Sequence, residues 1–254
     1  MNYVTRYLTL AALCLAGLAT IAPAQAGIVI TNTRQIYSAK NREQTVKLTN
    51  EDKKLPRLVQ VWMDSGNEKL SAEKSDAPFL ITPPVFRLEP GKSQALRMVY
   101  TNDPLPTDKE TVFWLNVLEV PPMIDTGDGD SKLRFAFRIR QKVFFRPEGL
   151  SLTSFEAPQK LTWSLVKHNG QSFLEVHNPS PYYVSFQSVA VAMSNKPDAE
   201  VNKSDDYDMV APSGTQQFAL KKTITALPVG AEVRFSVVND YGGFSPLISA
   251  PLKP

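Results

Sequence analysis

The side chains that could carry out chemistry are few and poorly matched to one another. Two histidines, His168 and His177, stand in or beside short apolar runs, and neither has a carboxylate partner at an informative spacing. Asp125, Asp128 and Asp130 briefly resemble a calcium loop. Their spacing departs from the EF-hand pattern and no glutamate closes it at the required distance, so a hairpin loop is expected there and no metal site. The single cysteine, Cys14, excludes an intrachain disulfide and any multi-cysteine zinc centre. No nucleophile elbow, H-E-x-x-H helix or P-loop is present. The expectation is a protein that binds rather than reacts, with no cofactor. The formal net charge of +3 is too small for a nucleic-acid binder held by its charge. With 43% hydrophobic residues the chain can nevertheless bury a core.

The elements that must position any binding groups follow an N-terminal address. Arg6 precedes an apolar run over residues 8–21, and Ala24-Gln25-Ala26 closes it with the small-x-small pattern cut by signal peptidase. At roughly 14 residues the run is short of the ~20 needed for a comfortable membrane span. An export signal over residues 1–26 is therefore expected, cut after Ala26. Cys14 would leave with it. The rest reads as all-β: short alternating or β-branched runs at 45–49, 58–63, 94–100, 112–120, 133–145, 161–166, 172–176, 182–191, 216–220 and 232–238, broken by Pro, Gly, Asn and Asp. A boundary falls in the stretch 146–158, giving domains 27–147 and 148–254. Each is the size of one immunoglobulin-like sandwich of about 100 residues. Residues 250–254 offer no obvious apolar pairing strand.

One run is unusual for a soluble protein. Residues 133–146 read LRFAFRIRQKVFFR, with Leu133, Phe135, Phe137 and Ile139 alternating against Arg134, Arg138, Arg140 and Lys142. Fully extended, such a strand spans roughly 46 Å at ~3.3 Å per residue, well beyond the usual 5–6 residues. It is either a long core strand or an edge that offers its backbone and an apolar row to another chain. Arginines at the alternate positions would hinder self-pairing.

Several ordered motifs then resemble the periplasmic pilus chaperones of the chaperone–usher pathway, the PapD-like family. They are Thr31-Asn32-Thr33-Arg34, Leu55-Pro56-Arg57-Leu58-Val59-Gln60-Val61-Trp62, and Ile81-Thr82-Pro83-Pro84-Val85-Phe86-Arg87-Leu88-Glu89-Pro90-Gly91. Further on come ETVFWLNVLEVPP from Glu110 to Pro122, Gln141-Lys142-Val143-Phe144-Phe145-Arg146-Pro147, Asn178-Pro179-Ser180-Pro181-Tyr182-Tyr183-Val184 and Asn239-Asp240-Tyr241-Gly242-Gly243. Pilus chaperones are a known instance of the immunoglobulin-like sandwich and of strand addition, so both points come with the resemblance.

The resemblance implies two immunoglobulin-like domains in an L, or boomerang. Arg34 and Lys142 match the cleft cations that bind a pilin's C-terminal carboxylate. Leu133, Phe135, Phe137 and Ile139 match the residues donated to a pilin's open groove, and Glu110, Arg146 and Asp240 match a charge network joining the domains. The implied role is a non-enzymatic periplasmic chaperone that completes pilin subunits by donor-strand complementation and delivers them to an outer-membrane usher. Self-capping homodimers are a further partner the apolar strand allows. The short stretch from Pro122 to Lys142 and the absence of cysteine from residues 27–254 resemble the short-loop branch of the family. The rival reading is an exported two-sandwich adhesive or structural surface protein. Strict alternation leaves one question: it sets Lys142 on the face opposite Leu133, Phe135 and Phe137.

Overall fold

The computed structural model describes residues 27–123, 135–206 and 208–253. The expected export signal, Asp125, Asp128, Asp130 and Leu133 lie outside the described residues. The described chain is almost entirely strand. In order, the strands are β1 (Ile28–Ile30), β2 (Arg34–Ser38), β3 (Gln44–Asn50), β4 (Arg57–Asp64), β5 (Phe79–Thr82), β6 (Val85–Leu88), β7 (Ser93–Tyr100), β8 (Thr111–Val120) and β9 (Phe137–Arg146). They continue as β10 (Thr162–His168), β11 (Gln171–His177), β12 (Val184–Ala192), β13 (Val201–Lys203), β14 (Met209–Val210), β15 (Thr215–Ala219), β16 (Glu232–Val238) and β17 (Ile248–Lys253). Single turns of 3-10 helix at Ala72–Lys74 and Ala157–Lys160 are the only helices among the described residues.

The strands build two β-sandwich domains. The first packs a four-stranded sheet, β1-β3-β7-β5, on a five-stranded sheet, β2-β9-β8-β4-β6. Alternation along each strand supplies the core between them: Val46 and Leu48, Val59 and Val61, Leu96 and Met98, Phe113, Leu115 and Val117, Val143 and Phe145 are all buried there. The second domain is one rolled sheet, β13-β12-β16-β17-β10-β11-β15, with β14 on β12. Its core gathers Trp163, Phe186, Phe218 and Phe235, whose rings meet edge-on or tilted at 5.1–6.4 Å, as aromatic quadrupoles favour.

The structure departs from the sequence reading at the C-terminus. Residues 248–253 form β17, which pairs antiparallel with β16 and parallel with β10 and so closes the roll. Ile248, Ala250 and Leu252 pack on the core. Pro251 hid this strand; its ring lies on the opposite, exposed face.

Strand β9 is sandwiched unequally. On one side β8 accompanies it along its length, from Glu119↔Phe137 to Thr111↔Phe145, with no register shift. On the other side β2 joins in parallel only from Arg34↔Lys142 to Ser38↔Arg146. Among the described residues, no strand pairs with that edge over residues 137–141.

Candidate functional site

The unbroken register of β9 settles its two faces. Gln141, Val143 and Phe145 point between the sheets and are buried. Arg138, Arg140 and Lys142 point outward. Phe137 belongs to the inner row but lies where the sandwich has run out, and it is 59% exposed, as is Phe135. Their rings lie 6.3 Å apart. Ile139 is different. It is half-buried and packs on the domain's own core. The exposed apolar row among the described residues is therefore Phe135 and Phe137, and it ends where the partner edge begins.

Parallel pairing of β2 with β9 sets Arg34 directly beside Lys142, on the outer face. No sequence spacing shows this, because the residues belong to strands at opposite ends of the domain. Arg34 reaches the second domain, donating from Nη1 to Ser185 Oγ and to the Val238 carbonyl at 3.3 Å each. Its Nε is buried without an acceptor. Lys142 Nζ lies 5.5 Å from the Trp114 ring centre and, among the described residues, has no hydrogen bond or ion pair. Burial and then the neighbouring Arg34 charge lower the Lys142 pKa, with Asp208 opposing. Arg34 is lowered as well, chiefly by burial, against the charges of Asp240 and Glu110. Two half-buried cations side by side with unspent donors form a site for an anion, and a carboxylate has the lone pairs to satisfy both. A cavity of about 400 Å³ lies alongside, between the domains, lined by Arg34, Phe144, Phe155, Val238 and Phe244 among others.

The face around Lys142 is held by a charged scaffold that sequence reading did not single out. Asp64, with no exposed side-chain surface, pairs with Arg140 at 2.6 Å and Arg138 at 3.7 Å. Asn116 donates to Asp64 at 2.7 Å and accepts from Arg138 Nε at 2.9 Å. Arg138 lies over Trp62 at 5.0 Å and Arg140 over Trp114 at 4.5 Å. These contacts pin the outer side of the half-strand that lacks a second neighbour. Tryptophan at alternate strand positions facing arginine at alternate positions was the available signal.

Below Lys142, Arg146 joins the domains. Its Nε donates to Glu110 Oε1 at 2.6 Å, and its two terminal nitrogens grip Asp240 at 2.7 and 2.9 Å. Glu110 also accepts from the Tyr183 N–H at 2.8 Å, and Asp240 from Ser154 Oγ at 2.7 Å. The Arg146 guanidinium lies 5.1 Å from the Tyr182 ring centre. Burial would raise the Asp240 carboxyl, but the bonds and charge of Arg146, with Ser154, hold it below its usual range. At Glu110 burial wins over Arg146, and its pKa is raised. His168 and His177 take no part; both are exposed at the ends of β10 and β11.

The described residues thus form two sandwiches, a strand with one open edge and an exposed apolar tip, and a half-buried cation pair at the end of that edge. Comparison with known proteins gives this arrangement a family. Residues 27–151 match the pili and flagellar-assembly chaperone PapD N-terminal domain, and residues 156–249 match the pili assembly chaperone PapD C-terminal domain. The chaperone protein FimB/FhaD of Bordetella pertussis is 41% identical over 251 residues, covering 96% of this chain and 97% of that one. The crystal structure of the Pseudomonas aeruginosa CupB2 chaperone superposes with a TM-score of 0.72 at 37% identity, over 89% of this chain and all of that one. The Salmonella enterica SafB chaperone, solved in complex with the SafA pilin, gives 0.71 at 27% identity, over 90% and 98%. The chain belongs to the PapD-like pilus-assembly chaperone family, and its role is chaperoning rather than catalysis.

Proposed function

We propose that this chaperone is exported to the periplasm and cut after Ala26, and that it captures pilin subunits by lending them the exposed part of β9 before passing them to an outer-membrane usher. The observation that carries the reading is the placement of Arg34 and Lys142 at the point where the open edge of β9 meets β2. A client strand paired with residues 137–141 and ending in a carboxylate at Lys142 runs parallel to β9 and takes up the line that β2 vacates. Its carboxylate fixes its register, so Phe137 and Phe135 enter defined positions of the client's groove. Leu133 extends that row in sequence. The face question resolves without a bulge: the cations work on the outer face and the phenylalanines on the inner one. The same open edge also supports a capped homodimer when no client is present. Glu110, Arg146 and Asp240 set the angle between the domains.

The test is co-purification of pilin with the chaperone from periplasm. Arg34→Ala and Lys142→Ala each lower pilin recovery at least tenfold while melting like the parent chain. Unchanged recovery in both overturns the anchoring role.

A further inference from the structure

The first described residue lies against a carboxylate that has no cation. Glu119 is on the inner face of β8, beside Val59 of β4 and Phe137 of β9 in the register of the sheet. It is 6% exposed. Its Oε2 accepts from the Ile28 N–H at 2.6 Å, and so links β8 to β1 of the facing sheet. Among the described residues, no lysine, arginine or histidine pairs with it. A side chain on Gly27 would collide with it, since a Cβ built there falls 2.4 Å from both carboxylate oxygens. The Gly27 carbonyl in turn accepts from the Glu51 N–H at 3.1 Å, so the residue is fixed from its other side.

This enclosed carboxylate has one neutral N–H as its donor, which leaves acceptor sites for a further, charged donor. In the uncut chain, Gly27 brings only a neutral peptide N–H. Cleavage between Ala26 and Gly27 turns that nitrogen into an α-ammonium, with three donors and a full charge, on the residue the carboxylate already touches. We infer that Glu119 is a built-in receptor for the α-ammonium of the processed chain, and that removal of the leader completes an ion pair across the end of the first sandwich. With glycine there, the carboxylate keeps its place; a larger residue at the new terminus would push it aside. The pair closes the end of the sandwich beside Phe137, in the part of β9 that would be lent to a client. The inference rests on the cut after Ala26, which the mass of the exported protein reads separately.

The experiment is a thermal double-mutant cycle on the full mature chain. One chain begins at Gly27; the other retains Gln25 and Ala26, which makes the Gly27 nitrogen an amide and carries the charge about 7 Å away. Each is made with Glu119 and with Glu119→Gln. With Glu119, the two extra residues lower Tm by about 3 °C, the shift for loss of one modest ion pair in a chain of this size. With Glu119→Gln they change it by less than about 1 °C. An extension that costs the same in both backgrounds, or nothing in either, overturns the inference. If Glu119→Gln does not fold, Glu119→Asp replaces it: the shorter carboxylate must at least halve the effect of the extension, and an undiminished effect overturns the pair. A mass that places the cut elsewhere refutes the cleavage reading and leaves the cycle, run on chains made to begin at Gly27, to decide the pair.

Discussion

Replacing Arg146 with alanine removes the charge on which the junction between the domains turns. The guanidinium makes three short charge-assisted bonds to two carboxylates, one of which, Glu110, keeps only 2% side-chain exposure. Taken singly, each bond to a charged group contributes about 1.5–3 kcal/mol. Their sum is an upper bound, because Arg146 is itself partly desolvated. The larger effect is what stays behind: a buried carboxylate with the Tyr183 N–H as its remaining hydrogen-bond donor. Breaking a buried pair from one side costs about 3–5 kcal/mol. At about 2–4 °C per kcal/mol for a chain of this size, the melting temperature falls by roughly 6–20 °C. Calorimetry on the parent, Arg146→Ala, Glu110→Gln and the double variant separates the terms. Glu110→Gln leaves the two-bond grip on Asp240 intact and costs about 1–2 kcal/mol. The double variant then loses less than the sum of the singles, because no buried charge is orphaned. Additive losses, or a cost below about 1 kcal/mol for Arg146→Ala, refute the reasoning.

The same network sets a pH response. Glu110 is raised by burial, so its folded form binds a proton first, and stability rises as pH falls from the raised value toward the unfolded one near 4.3. Asp240 is lowered, so its contribution is present above about 3.9 and is lost as pH falls through its folded value. The parent's stability relative to Glu110→Gln should therefore climb between neutrality and about pH 4.3; a decline in that window, read by denaturant titration, contradicts the assignment. Phe137→Ser, at an exposed site, changes stability by no more than about 0.5 kcal/mol yet lowers pilin recovery severalfold; normal recovery counts against strand lending. Asp64→Ala leaves Arg138 and Arg140 facing each other without their shared acceptor and speeds amide exchange over residues 137–141 by about tenfold or more; unchanged exchange there means the scaffold does not hold the open edge.

The strands with the cleanest alternation were readable in advance. Residues 45–49, 94–100 and 112–120 became β3, β7 and β8 with ends moved by one residue or not at all, because each has a regular buried row, set against an exposed face in β3 and β7 and a partly buried one in β8. The strands missed were short ones, β1, β2, β5, β6, β13 and β14, and β17, whose proline disguised a regular inner row of Ile248, Ala250 and Leu252. The candidate site was readable only as residue types. That Arg34 adjoins Lys142 depends on a parallel pairing between distant segments, which local pattern does not encode. The scaffold of Asp64, Asn116, Trp62 and Trp114 stayed hidden for the same reason: its members sit on β4 and β8 and meet the arginines of β9 only through the register of the sheet.

Ile139 shows why the lent strand has to change character along its length. A strand that was apolar and exposed throughout would pair with any open edge, including its own copy. A strand buried throughout could lend nothing. Here the inner row passes from Phe135 and Phe137, exposed, through Ile139, half-buried, to Gln141, Val143 and Phe145, which belong to the home core. The outer row carries Arg138 and Arg140, which share Asp64, with Glu68 at 3.9 Å from Arg140, and then Lys142, which has no ion pair among the described residues. The transition on both faces falls within the stretch of edge that β2 leaves open. Anchoring one end in the home core removes most of the entropy that a free peptide would lose on pairing. On the proposed reading, the unspent charge at Lys142 marks where a client strand ends. If Arg34 and Lys142 anchor a client as proposed, a client carboxylate is preferred over a second β9, which brings arginines rather than an anion to the cations, so a capped homodimer gives way once a client is present.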